Sequence, residues 1–224
     1  MPDMKKKISD KKICFIICSN NKMLMDECAL YLNRLFIPNG YSVEICVITD
    51  ARSMTEGYNR AMDASDAKYK IYLHQDVFII NRWILFNILE LFEQDNNIGM
   101  IGLVGTDHIS DSGIMWAGHY IGVMYNDLVT SWSEDHSDMP RGYVNVEAVD
   151  GFFIATDKDV RWREDLFDGF DFYDVSQSCE FRKKGYKVIV PFQNDPWCVH
   201  DDGQILNFEK YNHYRKIFIN NYLD

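Results

Sequence analysis

The stretch that most constrains this chain is residues 70–80, which read KIYLHQDVFII. Its first half is a run of strand-forming apolar residues, the pattern of a parallel strand buried on both faces. Three polar residues follow at once, before the apolar run resumes: His74, Gln75 and Asp76. Polar side chains at the end of a buried strand are costly to bury unless they are paired or bind something.

Ligands of open α/β sheets bind beyond the carboxyl ends of the strands. A carboxylate there, with an imidazole two residues before it, can hold a divalent cation, and the cation can hold phosphate oxygens. Alternatively, Asp76 caps the next helix or pairs with a nearby Lys or Arg. The residues of this stretch alone leave both interpretations open.

Strand and helix patterns alternate through the first hundred residues. Apolar runs predict strands at 13–18, 43–49 and 99–104, and helical spacing predicts helices at 25–36, 53–64 and 83–93. Ser53 and Glu56 form a capping-box pattern at the start of the second helix, and Asn81 is a candidate cap for the third. Such units imply right-handed crossovers and a mostly parallel sheet. The sequence has no GxGxxG or GxxxxGK[ST] loop, so phosphate recognition would depend on a metal.

Composition narrows the class of protein. The 224 residues are 47% hydrophobic, enough for one α/β domain with an insertion. A formal net charge of −11 argues against non-specific nucleic-acid binding, which needs lysine and arginine. The six cysteines form no CxxC pair, and no apolar run approaches the ~20 residues of a membrane span. The sequence therefore predicts a soluble, cytoplasmic protein with free thiols.

The second half begins irregularly. Residues 106–143 are rich in Gly, Asp, Ser, His and Trp, with a hairpin predicted between 119–124 and 129–133. Long irregular segments in compact domains are often part of a binding site, and Trp116 or Trp132 could stack on a sugar or equally pack in the core. Beyond it, the pattern predicts a strand at 144–156 interrupted at Asp150-Gly151, a helix at 174–184, a strand at 187–190, a polar loop at 196–203 and a closing helix at 208–218.

Four further residues are candidates for chemistry. Asp174 opens a helix, where the dipole holds a carboxylate ionised; this suits a general base, although Asp174-x-x-Gln177 is also a capping pattern. His200 is a solitary histidine, either structural or a ligand. Asp50 and Asp150 follow apolar strands and are expected to face the same crevice, and Gly151 would permit close backbone approach there.

These elements, in this order, resemble a family 2-like glycosyltransferase of the GT-A fold, and more narrowly the branch related to the streptomycin-biosynthesis glycosyltransferase-like domain. The matching segments cover roughly residues 12–205: ICFIICSNN, SMTEGYNRAMDAS, YKIYLHQDVFI, VDGFFIAT, FDGFDFYDVSQSCEFRKKGYKVIVP and VHDDG. The resemblance implies an α/β three-layer sandwich with a small β insertion. It also implies a nucleotide-binding half (12–105), an acceptor half (106–205) and a C-terminal helix (206–224).

The resemblance also implies roles for individual residues. Asp76 matches the last acid of the Asp-x-Asp motif that binds Mn²⁺ or Mg²⁺, with His74 in place of the first acid, and His200 matches a late metal or diphosphate ligand. Asp174 matches the catalytic base. Residues expected at the donor nucleotide sugar are Ser19, Asn20, Asp50, Asn59, His74 and Asp76; those expected at the acceptor are Asp150, Gly151 and Trp116.

The function implied by the resemblance is inverting transfer of a sugar from a nucleotide-diphosphate sugar to a hydroxyl of a sugar or lipid-linked glycan, as in polysaccharide biosynthesis. Ser176 stands where many relatives carry a second acid, which leaves a non-catalytic sugar-nucleotide or glycan-binding module as an alternative. A nucleotidyltransferase is a weaker third reading, because SNNKMLMDE is a poor glycine- and lysine-rich phosphate loop.

Overall fold

The computed structural model describes residues 6–126, 142–201, 203 and 207–223. Thirteen strands and five α-helices occur within these ranges. The strands are β1 Ser9–Cys18, β2 Ser42–Ile48, β3 Ala67–His74, β4 Val77–Ile79, β5 Ile98–Gly102, β6 Val104–Thr106, β7 Tyr120–Gly122, β8 Tyr125–Asn126, β9 Tyr143–Asn145, β10 Ala148–Val149, β11 Phe153–Thr156, β12 Lys187–Pro191 and β13 Cys198–His200. The helices are α1 Lys22–Leu32, α2 Met54–Ala64, α3 Ile84–Gln94, α4 Tyr173–Lys183 and α5 Phe208–Tyr222.

Seven strands form the central sheet, in the order β2-β1-β3-β11-β5-β12-β9. Five of them run in one direction, while β11 and β9 run against their neighbours. The expected mostly parallel α/β sheet is therefore confirmed. β11 lies between β3 and β5, with Phe153 opposite Leu73 and Ile154 opposite Gly102.

The sheet is the middle layer of three, which explains the apolar run of residues 71–73 in β3. Alternate side chains of a strand point to opposite faces. Ile71 and Leu73 pack in the core that contains the buried faces of α1 and α3, and Tyr72 packs in the core that contains residues of α2 and α4. A third cluster joins α5 to α4 around Phe218, which is fully buried.

Two three-stranded sheets flank the central one, in the orders β10-β6-β7 and β4-β13-β8. The sheet β4-β13-β8 corrects the sequence analysis, which predicted a polar loop at 196–203. Residues 198–200 of that segment form strand β13. The predicted hairpin also differs: Tyr120–Gly122 pairs with β6, Tyr125–Asn126 pairs with β13, and its second half, with Trp132, lies outside the described residues.

The helix starts follow the local sequence. Ser53 Oγ accepts a hydrogen bond from Glu56 N at 3.1 Å, as the capping box predicts, while the Glu56 carboxylate accepts from Arg52 N, one residue earlier than the box requires. Asn81 Oδ1 accepts from Trp83 N at 3.0 Å just before α3. Among the helices of the described ranges, none is both long and apolar enough to cross a membrane.

Candidate functional site

The site is built where β3 ends. The chain turns through Gln75 and Asp76 into β4, and β13 pairs with β4 so that His200 lies opposite Val77. Asp201 N also donates a hydrogen bond to the Asp76 carbonyl at 2.9 Å. This pairing brings a histidine from near the end of the chain to the polar turn that the sequence analysis singled out.

The side chains of His74, Asp76 and His200 form a cluster that can hold a metal ion, with one ligand atom from each within 4.8 Å of the others. His200 Nε2 lies 3.6 Å from Asp76 Oδ1, and His74 Nδ1 lies 3.9 Å from the same oxygen. Asp76 is only 4% exposed, and its Oδ1 has no hydrogen-bond partner within the described ranges of the chain. A buried carboxylate oxygen without a donor fits a bound cation, because leaving it unpaired is costly. Among the described residues, the ionic partners of Asp76 are the two histidines, and neither a Lys nor an Arg pairs with it.

The protonation states suit a metal site. Burial opposes ionisation of Asp76, but the neighbouring imidazoles of His200 and His74 hold the pKa of its carboxyl below the ordinary value. Burial, with help from the nearby His200 ring, lowers the pKa of His74 to about 4. His74 is therefore neutral at neutral pH, so that one of its ring nitrogens keeps a lone pair for a ligand.

Gln75 is a site residue that the sequence analysis missed. Its Oε1 accepts hydrogen bonds from Ser19 Oγ, Asn20 N and Asn21 N at 2.9, 3.0 and 2.9 Å, and its Nε2 donates to Asn20 Oδ1 at 2.7 Å. The amide thus ties the turn between β1 and α1 to the end of β3. The sequence feature that could have indicated this role is the position of Gln75 at the end of a buried strand, between His74 and Asp76.

A cleft of about 290 Å³ lies beside these bonds. Its lining residues come from the β1–α1 turn, the end of β3 and the segment after β13: Asn20, Asn21, Leu24, Gln75, Asp76, Asp201 and Gly203. The structure therefore brings Asn20 and Asp76 to one cleft, while Ser19 is buried behind it and holds Gln75.

The residues predicted for the acceptor side include Asp150 and Gly151, and Gly151 meets the predicted base Asp174 at the start of α4. Asp174 accepts hydrogen bonds from Val175 N at 2.8 Å and from Gly151 N at 2.9 Å. Burial, followed by the nearby negative charge of Asp150, raises the pKa of Asp174 to about 7, against the opposing effect of hydrogen bonds from backbone N–H groups. A carboxylate with a pKa near 7 is well matched to general base catalysis at neutral pH.

The capping interpretation of Asp174 and Gln177 is wrong. Phe172, in the left-handed region at φ 60°, occupies the cap position without a side-chain bond, and Asp174 lies inside the first turn. Gln177 Nε2 donates instead to the Val160 carbonyl at 2.6 Å. Ser176 is buried and its hydroxyl donates to the Tyr173 carbonyl at 3.0 Å, so position 176 faces the interior.

Two contacts connect the metal cluster with the acceptor side. The Tyr173 hydroxyl, on the residue before Asp174, hydrogen-bonds His74 Nε2. Phe152, next to Gly151, stacks on the His200 ring with 5.2 Å between centroids. Phe152 N also donates to Asp150 Oδ1 at 3.0 Å. These contacts link the candidate metal ligands to residues that flank the candidate base and its neighbour Gly151.

Three predicted site residues have other contacts. Asn59 is buried, and its side-chain amide donates to the Trp162 carbonyl (2.9 Å) and accepts from the Trp162 N–H (3.0 Å), so these two groups are already occupied within the protein. Asp50 is largely exposed after β2 and pairs with Arg60 of α2. Trp116 is half-buried and stacks on Tyr120, with 5.0 Å between ring centroids.

This architecture is the GT-A fold of glycosyltransferases, and solved structures of that fold superpose on it. The mannosyltransferase PcManGT from Pyrobaculum calidifontis, in complex with GDP-Man and Mn²⁺, is similar with a TM-score of 0.54 and 11% identity over 94% of this chain and 70% of that one. TarS 1-349 of S. aureus in complex with UDP-GlcNAc gives a TM-score of 0.56 and 10% identity over 93% and 66%. Against a longer TarS structure this chain covers 39% of the other chain. At these identities the similarity is one of fold.

The sequence profile of the glycosyltransferase-like family matches residues 14–222, and the chain belongs to this family. Comparison with curated proteins gave no match. The expected fold and enzyme class are thus confirmed.

Proposed function

We propose that this family member is a metal-dependent, inverting glycosyltransferase that moves a sugar from a nucleotide-diphosphate sugar to a hydroxyl of a sugar or lipid-linked glycan acceptor. The observation that carries the proposal is the linked pair of centres, His74–Asp76–His200 and Asp174, joined through Tyr173. The solved structures of similar fold contain GDP-Man with Mn²⁺ and UDP-GlcNAc, which supports a nucleotide-sugar donor. The six free thiols fit the reducing cytoplasm, where we place the protein.

On the donor side, the chain offers a cleft beside the β1–α1 turn. Asn20 and the Gln75-bound backbone would hold the nucleotide, and exposed Asp50 at the end of β2 would accept hydrogen bonds from its base or ribose. A divalent cation, Mn²⁺ or Mg²⁺, held by Asp76 and His200 would neutralise the charge of the diphosphate leaving group. The orphaned, buried Asp76 Oδ1 is the feature of this chain that fits such a cation.

On the acceptor side, Asp174 would take the proton of the attacking hydroxyl. Each of its oxygens accepts one backbone N–H and keeps a second acceptor site for that proton. The acceptor oxygen bonds to the anomeric carbon as the bond from that carbon to the diphosphate breaks. Attack from the face opposite the leaving group inverts the anomeric configuration. Asp150, Gly151 and the exposed edge of Trp116 would border the acceptor.

The test begins with a panel of nucleotide sugars in a thermal-shift assay with Mn²⁺, because a bound donor raises the unfolding temperature by mass action. Product formation with candidate acceptors is then measured for the wild type, Asp174→Asn and Asp26→Asn. Asp26 is an exposed carboxylate of α1 paired with Lys22, and its variant is the matched control. We expect transfer to be lost in Asp174→Asn alone, with donor binding kept. Equal turnover in all three would refute the proposed base, and donor binding without transfer or hydrolysis in the wild type would favour the binding-module alternative.

A further inference from the structure

His74 is held in a way that leaves one ring nitrogen facing the metal cluster. Its Nε2 is engaged by the Tyr173 hydroxyl, and its Nδ1 lies 3.9 Å from Asp76 Oδ1. Building on the proposed function, we propose that His74 Nδ1 is a third protein ligand of the cation, and that this second imidazole makes the site select transition-metal ions over Mg²⁺. Tyr173 is the positioning residue that holds His74 for this role.

The distances allow a shared ion. Ligand atoms around a cation at ~2.1 Å are separated by roughly 3–4 Å from one another. The measured separations are 3.6 Å and 3.9 Å from Asp76 Oδ1, with every pair within 4.8 Å. The set therefore closes on an ion with small side-chain movements. The buried Asp76 Oδ1, which has no hydrogen bond, is the second and independent sign that a ligand belongs here.

The hydrogen bond of Tyr173 engages His74 Nε2 and leaves Nδ1 as the nitrogen that faces Asp76. For Nδ1 to offer a lone pair, the ring proton must sit on Nε2, where it is donated to the Tyr173 oxygen. The hydroxyl is held in place from two sides. The Tyr173 ring packs against Tyr58 and Trp162, with centroids 6.0 and 6.1 Å away. Gly151 closes over the hydroxyl, and a Cβ at that position would lie 2.0 Å from it.

The ligand chemistry gives the selectivity. Mg²⁺ is a hard cation that prefers oxygen ligands, whereas imidazole nitrogen suits transition metals. A site with two imidazoles and one carboxylate should bind Mn²⁺, Co²⁺ and Zn²⁺ with affinity rising in that order, and Mg²⁺ more weakly than Mn²⁺. An acidic residue at position 74 would instead favour Mg²⁺.

The test is calorimetry on the full chain without donor, which measures its affinity for Mg²⁺, Mn²⁺, Co²⁺ and Zn²⁺ in turn. His74→Asp should raise the Mg²⁺ affinity relative to Zn²⁺ by at least about tenfold, because a nitrogen ligand becomes an oxygen ligand. Tyr173→Phe keeps the ring and removes the hydroxyl, and should weaken Mn²⁺ and Zn²⁺ binding by ~10–100-fold. The matched control is Tyr58→Phe: this buried hydroxyl of the same aromatic cluster has no hydrogen-bond partner, so its loss should leave metal affinity unchanged.

A spectroscopic measurement counts the imidazoles directly. Electron spin-echo modulation of bound Mn²⁺ should report two histidine nitrogens in the wild type and one in His74→Ala, with folding checked by circular dichroism. Mg²⁺ binding as tight as Mn²⁺, or one nitrogen in both proteins, would overturn the inference. The two proposals can fail separately. Selective metal binding without any transfer would defeat only the proposed function. Transfer supported by Mg²⁺, with a single histidine nitrogen on bound Mn²⁺, would defeat only this inference.

Discussion

The proposed function has its sharpest test in the pH dependence of transfer, because the proposed base Asp174 would have to be ionised to accept a proton. Burial and the charge of Asp150 raise its pKa to about 7. The ionised fraction therefore rises from ~10% at pH 6 to ~90% at pH 8, and the rate of the chemical step should rise about tenfold over that interval. The pKa of His74, lowered to about 4, lies below this window and should not contribute.

The perturbation that tests the cause is Asp150→Asn. Removing this negative charge removes the second contribution to the raised pKa of Asp174, so the midpoint of the rate profile should move to lower pH. The rise between pH 6 and pH 8 then becomes smaller than tenfold. Asp174→Asn should give a slow rate with no inflection in the same interval.

The assay is single-turnover transfer at saturating donor and metal, with saturation verified at each pH so that binding does not enter the profile. Two results would refute the reasoning. One is a wild-type profile that is flat from pH 6 to pH 8, since the base would then have an ordinary pKa or another identity. The other is an Asp150→Asn profile whose midpoint is unchanged or moves upward.

The remaining predictions address donor binding and stability. Asp76→Ala should lower the transfer rate by ~10²–10³, as loss of a stabiliser of developing charge commonly does, and should weaken donor binding measured by calorimetry. Gln75→Ala leaves three donors of the β1–α1 turn without their acceptor, so KM for the donor should rise ~10-fold with a smaller change in kcat; an unchanged KM would contradict the role of the turn. Asn59→Ala removes two buried hydrogen bonds and should cost about 2–3 kcal/mol in chemical unfolding while leaving KM for the donor unchanged; a rise in KM without loss of stability would instead support the expected donor-binding role. Gly151→Ala places a Cβ against the Tyr173 hydroxyl and should cost about 1–3 kcal/mol, with partial recovery in the Gly151→Ala, Tyr173→Phe double variant; no recovery would place the strain elsewhere.

Local patterns were sufficient to predict most of the elements. The alternating apolar runs predicted every long helix and the parallel strands within a few residues, because period and capping are properties of neighbouring residues. Asp76 was likewise found as a candidate metal ligand from its neighbours, because it follows a buried strand. The 3.1 Å bond from Glu56 N to Ser53 Oγ follows from its capping pattern.

The contacts that complete the site depend on pairing between distant segments, which no local pattern contains. His200 reaches Asp76 because β13 pairs with β4, and the sequence suggested a loop there. Asn59 lies within a motif that implied nucleotide binding, yet a loop a hundred residues later takes both of its hydrogen-bonding groups. Gln75 was noted within the polar end of β3 without a role, and its contacts come from the turn between β1 and α1 that folds against it.

The antiparallel strand β11 has a consequence for how the two sides of the enzyme can be exchanged. It hydrogen-bonds β3 on one side and β5 on the other, so a segment from the second half of the chain lies between two strands of the first half. A fragment ending near residue 105 would lose the strand that separates β3 from β5 and leave both with unpaired edges prone to association. Recombining donor and acceptor specificities between relatives should therefore be done by grafting loops onto an intact sheet, and not by joining halves at a midpoint of the chain.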